Sequence, residues 1–153
     1  MDVINGDLLE LALNGRFDVI VHGCNCFGVM DGGIAKRIKS IFPEAFAVDC
    51  LTRRADIEKL GNYSVVKIMR GDVSFYLVNA YTQYDYQDAR KIHVSYDAIR
   101  KVFEKISHDF NGFSIAYPKI GAGLGGGDWD LIKEIINKSL VNQNHTLVIY
   151  KPE

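Results

Sequence analysis

The chain has 153 residues, enough for one domain with a real core and short for two. Its 48% apolar content is ordinary globular material, and a net charge of −1 without blocks of like charge argues against strong nucleic-acid binding through the backbone. The start MDVINGDLLE lacks the parts of a signal peptide and no apolar run reaches bilayer-spanning length, so a soluble, cytoplasmic protein with no membrane partner is expected.

Val3–Ile4 reads as the end of an edge strand and Asn5-Gly6-Asp7 as a turn. Asp7 caps a short helix, Leu8–Leu13, closed by Asn14-Gly15. Phe17–Val21 is a β-rich apolar run, expected as a central strand. His22–Gly33, HGCNCFGVMDGG, then reads as an irregular loop. From Gly33 the spacing of Ile34, Ile38 and Ile41 is helical, and Pro43 starts a second helix, Glu44–Arg54. Ser64–Met69 and Ser74–Asn79 are strands joined by a hairpin turn at Arg70-Gly71-Asp72. Tyr81–Lys91 has no periodicity and reads as a long functional loop, followed by a helix over Ile92–Phe110.

The last third holds an apolar strand, Gly112–Tyr117, a helical segment, Asp128–Leu140, and a final strand, Thr146–Tyr150. Between the first two lies YPKIGAGLGGGDW, in which five of thirteen residues are glycine. Such a strand-to-helix turn leaves backbone N–H groups unpaired at a positive helix end, and a phosphate or diphosphate is the usual guest. Gly121, Gly123 and Gly126 satisfy G-x-G-x-x-G, but the chain is too short beyond them for a dinucleotide-binding Rossmann half, and no Gly-Lys-Ser/Thr follows. The alternation of strands and helices with one hairpin predicts a single α/β domain on a mixed sheet in three layers. Its cleft should lie beyond the carboxyl ends of the strands, among loops His22–Gly33, Ala80–Lys91 and Pro118–Gly127.

Candidate chemistry follows from those loops. His22, Asp31 and Asp128 are candidate bases, with structural alternatives as a core histidine, a turn residue and a helix cap. Asn25 offers a donor and an acceptor to a sugar hydroxyl pair, or serves its own turn. Gly32, Gly33 and Ile34 open a second helix N-terminus toward the cleft. Tyr81, Tyr84, Tyr86 and Trp129 supply aromatic surface for a base or ribose. The three cysteines, Cys24, Cys26 and Cys50, form no C-x-x-C pair and indicate a reducing compartment. No carboxylates and histidines cluster at ligand spacing, so neither a metal nor another cofactor is expected.

The order of Asn5-Gly6-Asp7-Leu8, HGCNCFGVMDGGIA, YLVNAYTQ and PKIGAGLGGGDW resembles the macro domain, from Asn5 to about Tyr150. It looks most like the small stand-alone branch that processes ADP-ribose-1″-phosphate. The resemblance implies a three-layer α/β/α fold on a roughly six-stranded mixed sheet, spanning residues 1–153 as one domain. It implies ADP-ribose or a derivative as ligand, with Asp7 at the adenine, Asn25 at the distal ribose, and Leu8 and Tyr81 also among the binding residues. Gly32–Ile34 would lie along one side of the phosphates, and Gly121, Ala122, Gly123, Leu124, Gly125 and Gly126 along the other. Two departures stand out. His22 replaces the first Asn of the Asn-Ala-Ala-Asn sequence of many macro hydrolases. A further branch uses a lysine near the strand that ends here at Asn79 and an aspartate in the second glycine loop, where this chain has no lysine and Gly125. The expected activity is removal of the 1″-phosphate from ADP-ribose-1″-phosphate. The alternatives are an ADP-ribose reader without turnover, or a hydrolase that removes ADP-ribose from protein or nucleic acid.

Overall fold

The computed structural model describes residues 1–88 and 90–151. The strands are β1 (Asp2–Gly6), β2 (Val19–Cys24), β3 (Tyr63–Arg70), β4 (Val73–Tyr81), β5 (Ser114–Tyr117) and β6 (Asn144–Tyr150). The helices are α1 (Leu8–Leu13), α2 (Gly33–Ile41), α3 (Pro43–Cys50), α4 (Tyr96–Asp109) and α5 (Trp129–Ser139). All six strands form one sheet in the order β1-β6-β5-β2-β4-β3. Within this sheet β3 and β4 pair antiparallel, and the other strand pairings are parallel. No helix among the described residues is long and apolar enough to cross a membrane.

Side chains alternate across a strand, so β2 divides the core in two. Val19 and Val21 pack with Ile99, Val102 and Phe103 of α4 and Ile132 and Ile136 of α5. Ile20, between them in sequence, packs on the opposite face with Leu9 of α1, Ile38 of α2 and Ala45 of α3. Two helical layers therefore cover one sheet, the three-layer α/β/α arrangement expected from the sequence.

Several boundaries differ from the sequence expectation, each for a physical reason. Asn5 and Gly6 are not a turn: they pair with Ile149 and Tyr150 of β6, so β1 runs up to Asp7. β2 extends three residues beyond Val21, because His22, Gly23 and Cys24 pair with Asn79, Ala80 and Tyr81 of β4. The second helix stops at Cys50 rather than Arg54. Leu51 beyond it is 86% exposed, so another turn would bury little apolar surface there, and Ala55 takes a left-handed φ of +60°. The helix expected from Ile92 starts at Tyr96, where the Ser95 side chain accepts from Ala98 N–H. The expected loop 81–91 includes Ala89, which lies outside the described residues.

Candidate ligand-binding cleft

Three loops leave the sheet at one end, after β2, β4 and β5, and enclose a cleft of about 430 Å³. Its lining takes Gly23 and Cys24 from the end of β2, and Asn25 and Asp31–Ala35 from the first loop and the start of α2. The second gives Thr82, Gln83 and Tyr86, and the third Pro118–Gly121 and Gly123–Gly125. A larger depression along α5, lined by Asp130, Lys133, Glu134, Asn137, Lys138 and Val141, is one helix's outer face and receives no loop.

The first loop is shaped by Asn25. Its Oδ1 accepts from Phe27 N–H at 2.9 Å and Val29 N–H at 3.3 Å, and its Nδ2 donates to Val29 O at 2.8 Å. This is the turn role, carried out at the cleft wall. The loop delivers the chain to Gly32, which opens α2 without any side-chain cap. The amides of Gly33, Ile34 and Ala35 have no acceptor among the described residues and stand at the positive end of the helix.

The third loop folds back on itself. Gly127 N–H donates to Gly121 O at 2.7 Å and Gly126 N–H to Gly123 O at 3.0 Å, with left-handed φ values of +77° at Gly121 and +72° at Gly126. A Cβ at Gly125 would stand 2.9 Å from Gly121 O, so only glycine allows this closure. The amides of Gly123, Leu124 and Gly125 donate to no acceptor among the described residues. The polar loop supports this curl from outside, with His93 and Val94 N–H both donating to Gly125 O at 2.8 and 3.1 Å. Across the cleft, a Cβ at Gly32 would meet the tip of Leu124 at 2.7 Å, so the two glycine loops close to contact.

The structure divides the expected site residues. Asn25, Asp31, Gly32, Gly33, Ile34, Gly121, Gly123, Leu124 and Gly125 line the cleft. Asp31 is the cleft's carboxylate, at the rim, with its side chain 74% exposed and 3.5 Å from Lys39 Nζ. His22 does not reach the cleft, because β2 continues past it and buries it to 1% exposure. Its Nε2 lies 2.6 Å from Asn79 Oδ1. The Asn79 Nδ2 donates to Ala45 O and Ser64 Oγ, so its oxygen faces the ring and His22 is assigned the Nε2–H tautomer. Burial lowers the His22 pKa from 6.5 to about 4, which keeps the ring neutral.

Tyr81 also turns inward. It is the last residue of β4, its hydroxyl donates to Asp49 Oδ1 at 2.6 Å, and Lys59 Nζ sits 4.6 Å from its ring centre. Burial and the Asp49 carboxylate raise its pKa, so it is a buried phenol rather than a stacking surface. Asp128 is the cap of α5, accepting from Asp130 N–H at 3.0 Å, and does not line the cleft. Asp7 caps Leu9 and Glu10 N–H with Oδ1 and pairs with Arg37 at 2.5 Å through Oδ2. Leu8 packs into the core at 3% exposure. Neither Asp7 nor Leu8 lines the cleft, and neither do Ala122, packed against the core, and Gly126, whose amide closes the loop.

Thr82, Gln83 and Lys119 line the cleft without having been singled out in the sequence. Their signal is position, since each follows within two residues of a strand's carboxyl end. Thr82 Oγ1 is buried with no hydrogen-bond partner among the described residues, a condition that costs about 1–3 kcal/mol. Cys24 lines the wall beside it, and burial pushes its thiol well above the ordinary range, so it is a neutral wall group rather than a nucleophile.

The macro domain family model matches residues 21–136. An uncharacterized 17.5 kDa protein from the tk-vs intergenic region of Enterobacteria phage T4 is 31% identical over 150 residues, covering 97% of this chain and 96% of that protein. The DNA ADP-ribosyl glycohydrolase of Mycobacterium tuberculosis is 29% identical over 150 residues, but this chain spans only 41% of its length. Among solved structures, the macrodomain of Mycobacterium tuberculosis DarG superposes with a TM-score of 0.74 at 25% identity, over 99% of this chain and 97% of that one. Thermosipho africanus DarTG in complex with ADP-ribose shares the fold at 17% identity and a TM-score of 0.75, over 97% of this chain and 42% of that one.

Proposed function

The chain belongs to the macro domain family, and from that premise we propose that its cleft binds ADP-ribose and that it hydrolyses ADP-ribose conjugates at the distal ribose. The observation that carries this reading is the pair of facing amide cradles, Gly33–Ala35 and Gly123–Gly125, which present unpaired N–H groups to one cleft. A diphosphate held between them accepts from both sides at once. The likeness to the mycobacterial glycohydrolase favours an ADP-ribosyl group on DNA as the conjugate. With a net charge of −1, recognition runs through the ADP-ribose moiety rather than through the strand backbone.

In that reaction the oxygen of water bonds to C1″ of the distal ribose, the bond from C1″ to the acceptor breaks, and the acceptor recovers a proton. Asp31, the carboxylate that lines the cleft, takes the proton from the water. A lysine-dependent route is not available where one would be sought, since β4 ends in Asn79-Ala80-Tyr81 and Gln83 is the long side chain that follows into the cleft. A second reading is favoured by one feature. Lys119 brings a cation to the same cleft, and a terminal 1″-phosphate suits it, with ADP-ribose-1″-phosphate as substrate.

The test is calorimetric binding of ADP-ribose, followed by incubation with an ADP-ribosylated single-stranded oligonucleotide and, separately, with ADP-ribose-1″-phosphate. Release of ADP-ribose from the oligonucleotide is the expected result. Phosphate release in its place selects the second reading, and binding without either product reduces the chain to a reader. Asp31→Ala should lower turnover about 100-fold or more while retaining ADP-ribose affinity. Absence of ADP-ribose binding in the wild type would overturn the proposal as a whole.

A further inference from the structure

Thr82 is the first residue beyond β4, and its backbone is held on both sides. Its N–H donates to Cys24 O at 3.2 Å and its carbonyl accepts from Ser95 N–H at 2.8 Å. The residue is 1% exposed and lines the cleft, yet its hydroxyl has no partner among the described residues. A buried hydroxyl that can neither reach solvent nor find a protein partner, and that faces a cleft, is placed to meet what enters the cleft.

Gly23 gives an independent observation. It stands inside β2, paired with Ala80, and does not adopt a left-handed φ, so its backbone does not call for glycine. What calls for glycine is space: a Cβ there would stand 2.8 Å from Thr82 Oγ1 and 3.2 Å from Ile120 Cγ2. Gly23, Thr82 and Ile120 all line the cleft. Without a side chain at Gly23, no protein atom of β2 fills the space beside the hydroxyl at the cleft wall.

The kind of group that fills this room follows from the sheet order. The loops with unpaired amides leave β2 and β5, and Thr82 leaves β4, on the side of β2 away from β5, β6 and β1. A phosphate is served by the amide cradles. The group at Thr82 therefore lies to one side of the diphosphate and is uncharged. A threonine hydroxyl both donates and accepts, as a sugar hydroxyl does.

We infer that Thr82 Oγ1 hydrogen-bonds a hydroxyl of the distal ribose of ADP-ribose, and that Gly23 keeps the space for that sugar. The inference rests on the ADP-ribose reading given above and goes beyond it by naming the residue that distinguishes ADP-ribose from ADP. Thr82 then fixes the sugar whose C1″ reacts, a positioning role.

The experiment is calorimetric titration of wild type, Thr82→Val and Thr82→Ser with ADP-ribose and with ADP, which lacks the distal ribose. Valine has the shape of threonine without the hydroxyl, so Thr82→Val should unfold in urea at or above the wild-type midpoint. It should bind ADP-ribose about tenfold more weakly, equivalent to about 1.4 kcal/mol, and bind ADP within twofold of wild type. Thr82→Ser should keep the wild-type ADP-ribose affinity. Gly23→Ala gives a second approach to the same space and should show the same split between the two ligands. Unchanged ADP-ribose affinity in Thr82→Val would overturn the inference. So would equal losses for ADP and ADP-ribose, which would move the contact to the shared part of the ligands. A wild type that binds neither ligand would instead sink the ADP-ribose reading, a pattern distinct from either.

Discussion

Asn79 is wholly buried and directs a chain of hydrogen bonds behind the cleft wall. It accepts from His22 and donates to Ser64, which lies 2.8 Å from the Tyr81 hydroxyl, which in turn donates to the buried carboxylate of Asp49. His22 is held neutral in this setting, with its pKa lowered from 6.5 to about 4 chiefly by burial. In the unfolded chain the ring charges near 6.5, so the folded state binds fewer protons between the two values. Its contribution is therefore fully present above about pH 6.5 and is lost as pH falls to about 4, amounting to about 3 kcal/mol. NMR titration of the ring should show it neutral at about pH 6 with a midpoint near pH 4, and urea midpoints should fall across that window; a ring midpoint near 6.5 would mean the site is wetter than the structure has it. A histidine after an apolar run reads as a strand-end base or, more often, as a hydrogen-bonded core residue. Only the pairing of His22–Cys24 with Asn79–Tyr81 decides, and that pairing spans more than fifty residues of sequence. The same pairing carries Tyr81 inward, so His22 and Tyr81 share one cause.

Helix ends were legible where a cap residue marks them. α1 carries its own signals, Asp7 before Leu8–Leu13 and Asn14-Gly15 after it, and the structure reproduces those bounds. α4 begins late because Ser95, not the apolar Ile92, supplies the cap, and local chemistry at the N-terminus outranks one apolar match in the periodicity. α5 shows the same logic at a position also considered for catalysis. Asp128 accepts from Asp130 N–H and donates its own N–H to the Tyr96 hydroxyl at 3.0 Å, which ties α5 to α4. Asp128→Ala should cost about 1 kcal/mol in urea unfolding. Ile132 and Ile136 remain in the core, so the helix should persist, with ADP-ribose affinity and turnover within twofold of wild type. A turnover loss of 100-fold at unchanged stability would restore Asp128 as a base. The glycine loops were legible because glycine at such density has few other uses; their closure through Leu124 and Gly32 was not, since the two residues are distant in sequence.

At the scale of the molecule, parallel pairing of β5, β2 and β4 brings three loops to one end of the sheet. The antiparallel β3 and the β1–β6 pair form the flanks. A ligand in the cleft therefore contacts segments from the first, second and last thirds of the chain, and its binding energy is felt by the whole cooperative unit. At one hundred times its Kd, ADP-ribose should stabilise the fold by about 2.7 kcal/mol. Hydrogen exchange separates that global effect from the local one. The amides of Gly33, Ile34, Gly123, Leu124 and Gly125 lack acceptors among the described residues, so they should exchange from the native state and slow on binding if the ligand supplies the acceptors. The β3–β4 turn at Gly71 is remote from the cleft and exchanges by local opening, so it should be unchanged. Protection appearing instead along the outer face of α5, around Lys133 and Asn137, would place the ligand in the wrong depression. The contrast is sharp because these amides have no protein acceptor among the described residues, so an arriving diphosphate would exchange their water partners for fixed ones.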